Sequence, residues 1–221
     1  MSKSRDYIAE ILSLKGRLKP ETPRYSQTLP RLINIDEGLE HISTEIGDVK
    51  PFKQEFIKYI PVACVACIEG YFRLVYRDLI DYGSPYCDNI SALKDIRFNI
   101  ESVIAIQGRK VSLGEFVSHL LPANRPDDIN KNMSLIIGED FFDRLKQTEF
   151  IQEDGSVTSI AKRGEEAWLF DGLKELFELR HIFCHELALA QEIDQTRAIT
   201  CIGVSLALTL VTEYLVEELL V

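Results

Sequence analysis

Residues 169–187 read Leu169-Phe-Asp-Gly-Leu173-Lys-Glu-Leu176-Phe-Glu-Leu-Arg180-His181-Ile-Phe183-Cys-His185-Glu-Leu187. Leu169, Leu173, Leu176, Arg180, Phe183 and Leu187 follow one another at steps of 4, 3, 4, 3 and 4. That spacing puts them on one face of an α-helix, because a strand repeats every second residue. The predicted helix covers about residues 162–190. A second seam, Phe56, Ile60, Cys64, Cys67, Tyr71 and Leu74, predicts a long helix over about 52–81, with Pro61 either kinking it or marking its effective start. The final stretch, about 195–220, reads as a third long helix with Asp194 as its N-cap.

The rest of the chain keeps the helical period. Tyr7, Ile8, Ile11 and Leu12 give a short amphipathic helix over 4–16, and another is expected from about 32 to 46, stopped by Gly47. The loop at 81–89 is followed by a helix over about 91–107. Ser112 and Glu115 form a capping-box pattern before Phe116, Val117, Leu120 and Leu121. Pro126 suits a first helical turn leading to Ile129, Met133, Ile136 and Ile137, and Gly138 ends that helix. Residues 139–147 add another short helix, and 148–159 read as a loop or small hairpin centred on Asp154-Gly155. No repeat of fixed period is visible, which disfavours a solenoid. The expectation is an all-α protein: an N-terminal helical extension over 1–49 packed on a helical bundle over 50–221, with short helices inserted between its second and third long helices.

Composition narrows the function classes. The 221 residues are 46% apolar and 27% charged, values that support a real core and argue against wholesale disorder. The 25 basic and 35 acidic residues give a net charge of −10, which excludes a generally basic nucleic-acid coat and a polybasic membrane binder. A local basic groove stays open: residues 50–80 hold five basic and three acidic residues, and 94–110 hold four and two. Residues 191–221 carry one Arg against five acids. The cysteines, Cys64, Cys67, Cys87, Cys184 and Cys201, are odd in number, so free thiols in a reducing cytoplasm are expected. The first 17 residues lack an apolar signal core. The longest apolar run, Ala198–Val211, has 14 residues where a membrane span needs about 20, so no membrane partner is expected.

Chemistry concentrates at residues 180–185. A guanidinium in an apolar seam must be paired or line a wet cavity, since an unpaired buried one costs several kcal/mol. His181 and His185 are four residues apart and share a helical face. A fixed cation and two imidazoles that exchange protons near neutral pH suit transesterification at an RNA phosphodiester. One imidazole takes the 2′-OH proton, the other protonates the leaving 5′-oxygen, and Arg180 stabilises the phosphorane. No cofactor and no metal enter this scheme, and a 2′,3′-cyclic phosphate results. The competing structural readings are an ion pair between Arg180 and an acid such as Glu69, a core role for His185, and an orienting role for His181. Glu69 and Arg73 form an i,i+4 pair that is either a surface bridge or support for the site. Cys64 and Cys67 lie on the apolar seam and read as core, with no second Cys/His pair at zinc spacing. His41 and His119 read as structural or exposed, and Trp168 as core.

The segment Glu178-Leu-Arg180-His181-Ile-Phe-Cys-His185 resembles the Arg-x(4–6)-His signature of the HEPN superfamily (higher eukaryote and prokaryote nucleotide-binding domains). Ala66-x-x-Glu69-Gly-Tyr-Phe-Arg73 is similar to the early helix of its RiboL-PSP-type subgroup, and the segment 112–145 to that group's inserted short helices. The resemblance spans roughly 50–220. It implies a metal-independent endoribonuclease of the kind found among toxins and anti-phage or abortive-infection effectors. It further implies a homodimer whose motif helices meet at the two-fold axis, pooling two copies of Arg180, His181 and His185. RNA, tRNA among the candidates, is the expected substrate, a cognate antitoxin a possible partner, and DNA is not expected. A second reading is a catalytically inactive HEPN-fold module that binds a nucleotide or a partner protein, which the acidic net charge favours. A cysteine redox or metal protein is a third, resting on Cys64 and Cys67 alone.

Overall fold

The computed structural model describes residues 6–17, 22–44, 50–93, 98–186 and 191–221. Eleven α-helices account for nearly all regular structure in these residues. They are α1 (Tyr7–Lys15), α2 (Arg24–Thr44), α3 (Lys50–Tyr82), α4 (Tyr86–Asn89), α5 (Ile100–Gln107), α6 (Leu113–Leu120), α7 (Pro126–Ile137), α8 (Phe141–Gln147), α9 (Ile160–Arg163), α10 (Glu166–His185) and α11 (Gln195–Leu219). A two-stranded antiparallel hairpin, β1 (Phe150–Ile151) and β2 (Val157–Thr158), turns at Gly155. The protein is all-helical, as the periodicity predicts.

The central element is α3, with α2, α10 and α11 packed along it and α6 to α8 on its C-terminal half. One core joins Leu32 and Leu39 of α2, Ile68, Tyr71 and Phe72 of α3, Leu173 and Leu176 of α10, and Val204 and Leu208 of α11. Residues 24–44 therefore share a core with the bundle. A satellite cluster of Ile11, Val111 and Phe116 ties α1 to α6. There His119 Nε2 lies 2.8 Å from Glu10 Oε2, and the His119 ring meets Tyr7 edge-on. His119 is thus the tie between α1 and α6.

Local signals set several boundaries. Ser112 and Glu115 close both halves of the capping box on α6. Pro126 opens α7, and Gly138 ends it at φ +83°. The Asp194 side chain accepts the Arg197 N–H and caps α11. Other boundaries depart from the sequence reading. Pro61 lies inside a continuous α3. The start of α2 is Arg24 rather than 32, with Pro30 inside it. Tertiary ion pairs hold this longer start: Arg24 reaches Asp78 on α3 and Glu213 on α11, each at 3.0 Å. No single helix fills 91–107; a short 3₁₀ turn at Ile90–Ala92 is followed by α5, which starts where Asn99 accepts the Ser102 N–H. The helix predicted from 162 starts at Glu166, because Gly164 at φ +66° breaks the chain after α9. Its predicted end, 187–190, and Gly47 lie outside the described residues, as do the first residues of the 4–16 helix.

Two helices, at Pro51–Tyr82 and Gln195–Leu219, are long and apolar enough to cross a membrane by length and composition. The second extends well beyond the 14-residue run seen in the sequence, because Thr, Glu and Tyr continue the helix. In this fold more than half of each apolar window is buried against other helices.

Candidate functional site

The last turns of α10 carry Arg180, His181 and His185. Leu169, Leu173, Leu176 and Leu179 are buried, and Phe183 packs partly against the core. Arg180 does not enter that core. Its side chain is 26% exposed and its Nη2 donates to Glu69 Oε1 at 3.4 Å. The inward position near the end of α10 meets the flank of α3 at a partly wet edge, so the guanidinium keeps water and gains a carboxylate. Leu187, the seam's last member, lies outside the described residues.

His181 and His185 are both exposed. Their ring centroids are 5.1 Å apart, with the planes inclined at 49°. One helical turn sets that spacing. Arg180 hydrogen-bonds to Glu69 and to neither imidazole, because 100° of helix separates it from His181. Among the described residues no carboxylate is hydrogen-bonded to either ring. Cys184, between them in sequence, is exposed too. The three groups therefore form an open edge, with two imidazoles outside and the guanidinium turned toward α3.

Glu69 is 29% exposed and is the residue that fixes Arg180. Arg73, one turn further along α3, is exposed and makes no ion pair with Glu69. The i,i+4 bridge that the spacing permits gives way to the interhelical Arg180 contact. Cys64 and Cys67 are buried in the core. Burial pushes the Cys64 thiol up to about 12, and raises that of Cys67 against the opposing charge of Arg31. Thiols held protonated are poor nucleophiles and poor metal ligands. Among the described residues no group of three His, Cys, Asp or Glu side chains is placed to hold a metal ion. Trp168, expected in the core, is 43% exposed and lies against Gly203.

A polar network that sequence reading misses lies behind this region. Arg24 bonds to Glu213 and Asp78, Tyr71 Oη donates to Glu213 at 2.7 Å, and Arg77 pairs with Asp78. Burial works against the Arg24 charge, and Glu213 with Asp78 more than offset it, so its pKa stays above the usual value. Its members are up to 189 residues apart in sequence. No local pattern could have shown it.

The fold is of the all-α class, with one small hairpin, and carries Arg180, His181 and His185 at one edge. Compared with protein-family models, with curated proteins and with solved structures, the chain matches none of them.

Proposed function

We propose that the protein is a metal-independent endoribonuclease of the HEPN type, acting as a homodimer in the cytoplasm as a toxin or anti-phage effector. The observation that carries this reading is the open edge of α10: two exposed imidazoles 5.1 Å apart, with a guanidinium anchored by Glu69 on the adjoining face. Two imidazoles on one side of a helix reach a phosphate from one side only. In-line displacement needs base and acid on opposite sides, and a second copy across a two-fold axis supplies the missing side. His185 of one protomer removes the 2′-OH proton, and an imidazolium of the other protonates the departing 5′-oxygen. Arg180 neutralises the phosphorane, and Glu69 holds it ready. His181 orients the phosphate. The product ends are a 2′,3′-cyclic phosphate and a 5′-hydroxyl.

A second reading, a binding module without catalysis, is favoured by one observation: among the described residues no carboxylate is hydrogen-bonded to either imidazole. The test separates the two. Purified protein is incubated with total RNA in excess chelator, and the new ends are mapped. Cyclic phosphate ends, with a loss of order 10²–10⁴-fold in His185→Ala, are the expected result. Arg180→Lys should not rescue cleavage and should fail as Arg180→Ala does, because a point charge lacks the planar fork that grips a phosphate. Cleavage that needs added Mg²⁺, or unaltered cleavage in both alanine variants, rejects the metal-independent mechanism at this edge, and no cleavage of any RNA decides for the binding module.

A further inference from the structure

Away from α10, a cavity of about 380 Å³ opens between α1, α2 and α3. Arg17 reaches it from the end of α1, Arg31 from α2 and Arg73 from α3, over walls that include Leu14, Leu74 and Gly70. Among the described residues no acid lines it. In a chain of net charge −10, three cations lining one cavity without a described carboxylate are a local reversal of sign. The acids nearby in the fold are already engaged: Glu213 by Arg24 and Tyr71, Asp78 by Arg24 and Arg77. The Arg17 side chain donates to Ser13 Oγ at 3.1 Å, and among the described residues Arg31 and Arg73 make no side-chain hydrogen bond or ion pair. Above Gly70 the space is open, since a Cβ placed there would meet nothing within 4 Å.

We propose that this cavity binds a phosphomonoester of nucleotide size, its phosphate gripped by Arg17, Arg31 and Arg73. Three guanidiniums, from α2, α3 and the turn after α1, match a group with three outward oxygens and close to two negative charges. A carboxylate offers two oxygens and one charge, and leaves one arginine unused. The apolar walls at Leu14 and Leu74 receive the uncharged body of the ligand, in a volume typical of small-molecule sites. Two sources carry this chemistry, a free mononucleotide and the 5′-phosphorylated end of an RNA strand. The proposal stands apart from RNA cleavage, because it uses none of Arg180, His181 and His185.

The full chain is titrated with adenosine monophosphate by calorimetry, with inorganic phosphate as competitor, and with an RNA octamer bearing a 5′-phosphate or a 5′-hydroxyl by fluorescence anisotropy. His185→Ala serves beside the native chain, so that cleavage does not alter the probe. The nucleotide, or the 5′-phosphorylated octamer in preference to the hydroxyl form, is expected to bind and to be displaced by phosphate. Arg31→Gln and Arg73→Gln each weaken that binding about tenfold or more. Both side chains are exposed, so unchanged melting curves show that the variants fold. Lys131→Gln, an exposed charge on α7, leaves binding unaltered. Nucleotide binding with no gain from the RNA 5′-phosphate assigns the free ligand; a tenfold gain assigns the RNA end. No binding by either probe, equal binding by the arginine variants, or an equal loss in Lys131→Gln overturns the proposal. Unaltered nucleotide binding in a His185→Ala chain that no longer cleaves shows the two sites to be separate.

Discussion

At the residue scale, the informative contrast is between two arginines. Arg24 and Glu213 have side chains only 10% and 12% exposed, and their pairing is part of the core architecture. Arg180 and Glu69 are 26% and 29% exposed, and their single contact is long at 3.4 Å. A partly solvated pair of that kind contributes at most about 1 kcal/mol, and the solvent screening at this edge lowers the figure further. Stability therefore does not explain why a cation stands in an apolar seam. Arg180→Ala and Glu69→Gln should each change unfolding free energy by no more than about 1 kcal/mol in urea titrations. His185→Ala removes an exposed ring whose one ring contact is with His181, and should stay within about 0.5 kcal/mol of the native chain. A loss of several kcal/mol in either alanine variant would make the edge structural.

At the element scale, close approach between helices is what places α10 and the short helices. Gly114 in α6 lies against α3 so tightly that an added Cβ would sit 2.4 Å from the Arg77 carbonyl oxygen and 2.7 Å from the Asp81 carboxyl. Asp81 uses the approach: it accepts the Gly114 N–H at 2.8 Å and the Ser112 hydroxyl at 2.5 Å. The capping box thus doubles as a clamp between α6 and α3. Gly114→Ala meets backbone, which cannot swing aside, and should cost about 1–3 kcal/mol in thermal or urea unfolding. A substitution without effect would mean that α6 is free to shift along α3. Gly172 plays the matching part between α10 and α11, where a Cβ would meet Val204 Cγ1 at 2.7 Å.

At the scale of the whole molecule, the question is what meets the open edge of α10. Trp168 at 43% and Ile199 at 51% are exposed on α10 and α11, and Cys184 is exposed beside the histidines. The proposed composite site requires a second copy there. Light scattering at micromolar concentration should return twice the 25.2 kDa chain mass. Cys184 is the exposed thiol, Cys87 is partly exposed and is changed to Ser for the test, and Cys64, Cys67 and Cys201 are buried. A bulky maleimide at Cys184 should therefore halve the mass and abolish cleavage together. A strictly monomeric, cleaving protein would refute the shared site, because one helix cannot present base and acid to opposite sides of a phosphate.

Periodicity alone determined that this chain is helical, and it located the Arg-His-His cluster, because a 3.6-residue repeat is a property of neighbours in sequence. Caps and stops at Ser112, Pro126, Gly138 and Asp194 were legible for the same reason: their hydrogen bonds close within a turn. The early start of α2 was not legible, since Arg24 is held by Asp78 and Glu213, residues far along the chain. Nor could periodicity show that Arg180 stands at a wet edge. The sequence named Glu69 as an acid that could pair with Arg180, and the pair forms; how wet that edge is depends on where the flank of α3 falls. His119 read as isolated for want of a sequence neighbour, yet Glu10 lies beside it across 109 residues. The cavity of Arg17, Arg31 and Arg73 follows the same rule: net charge sums over the chain, whereas a binding site depends on which charges the tertiary fold makes neighbours.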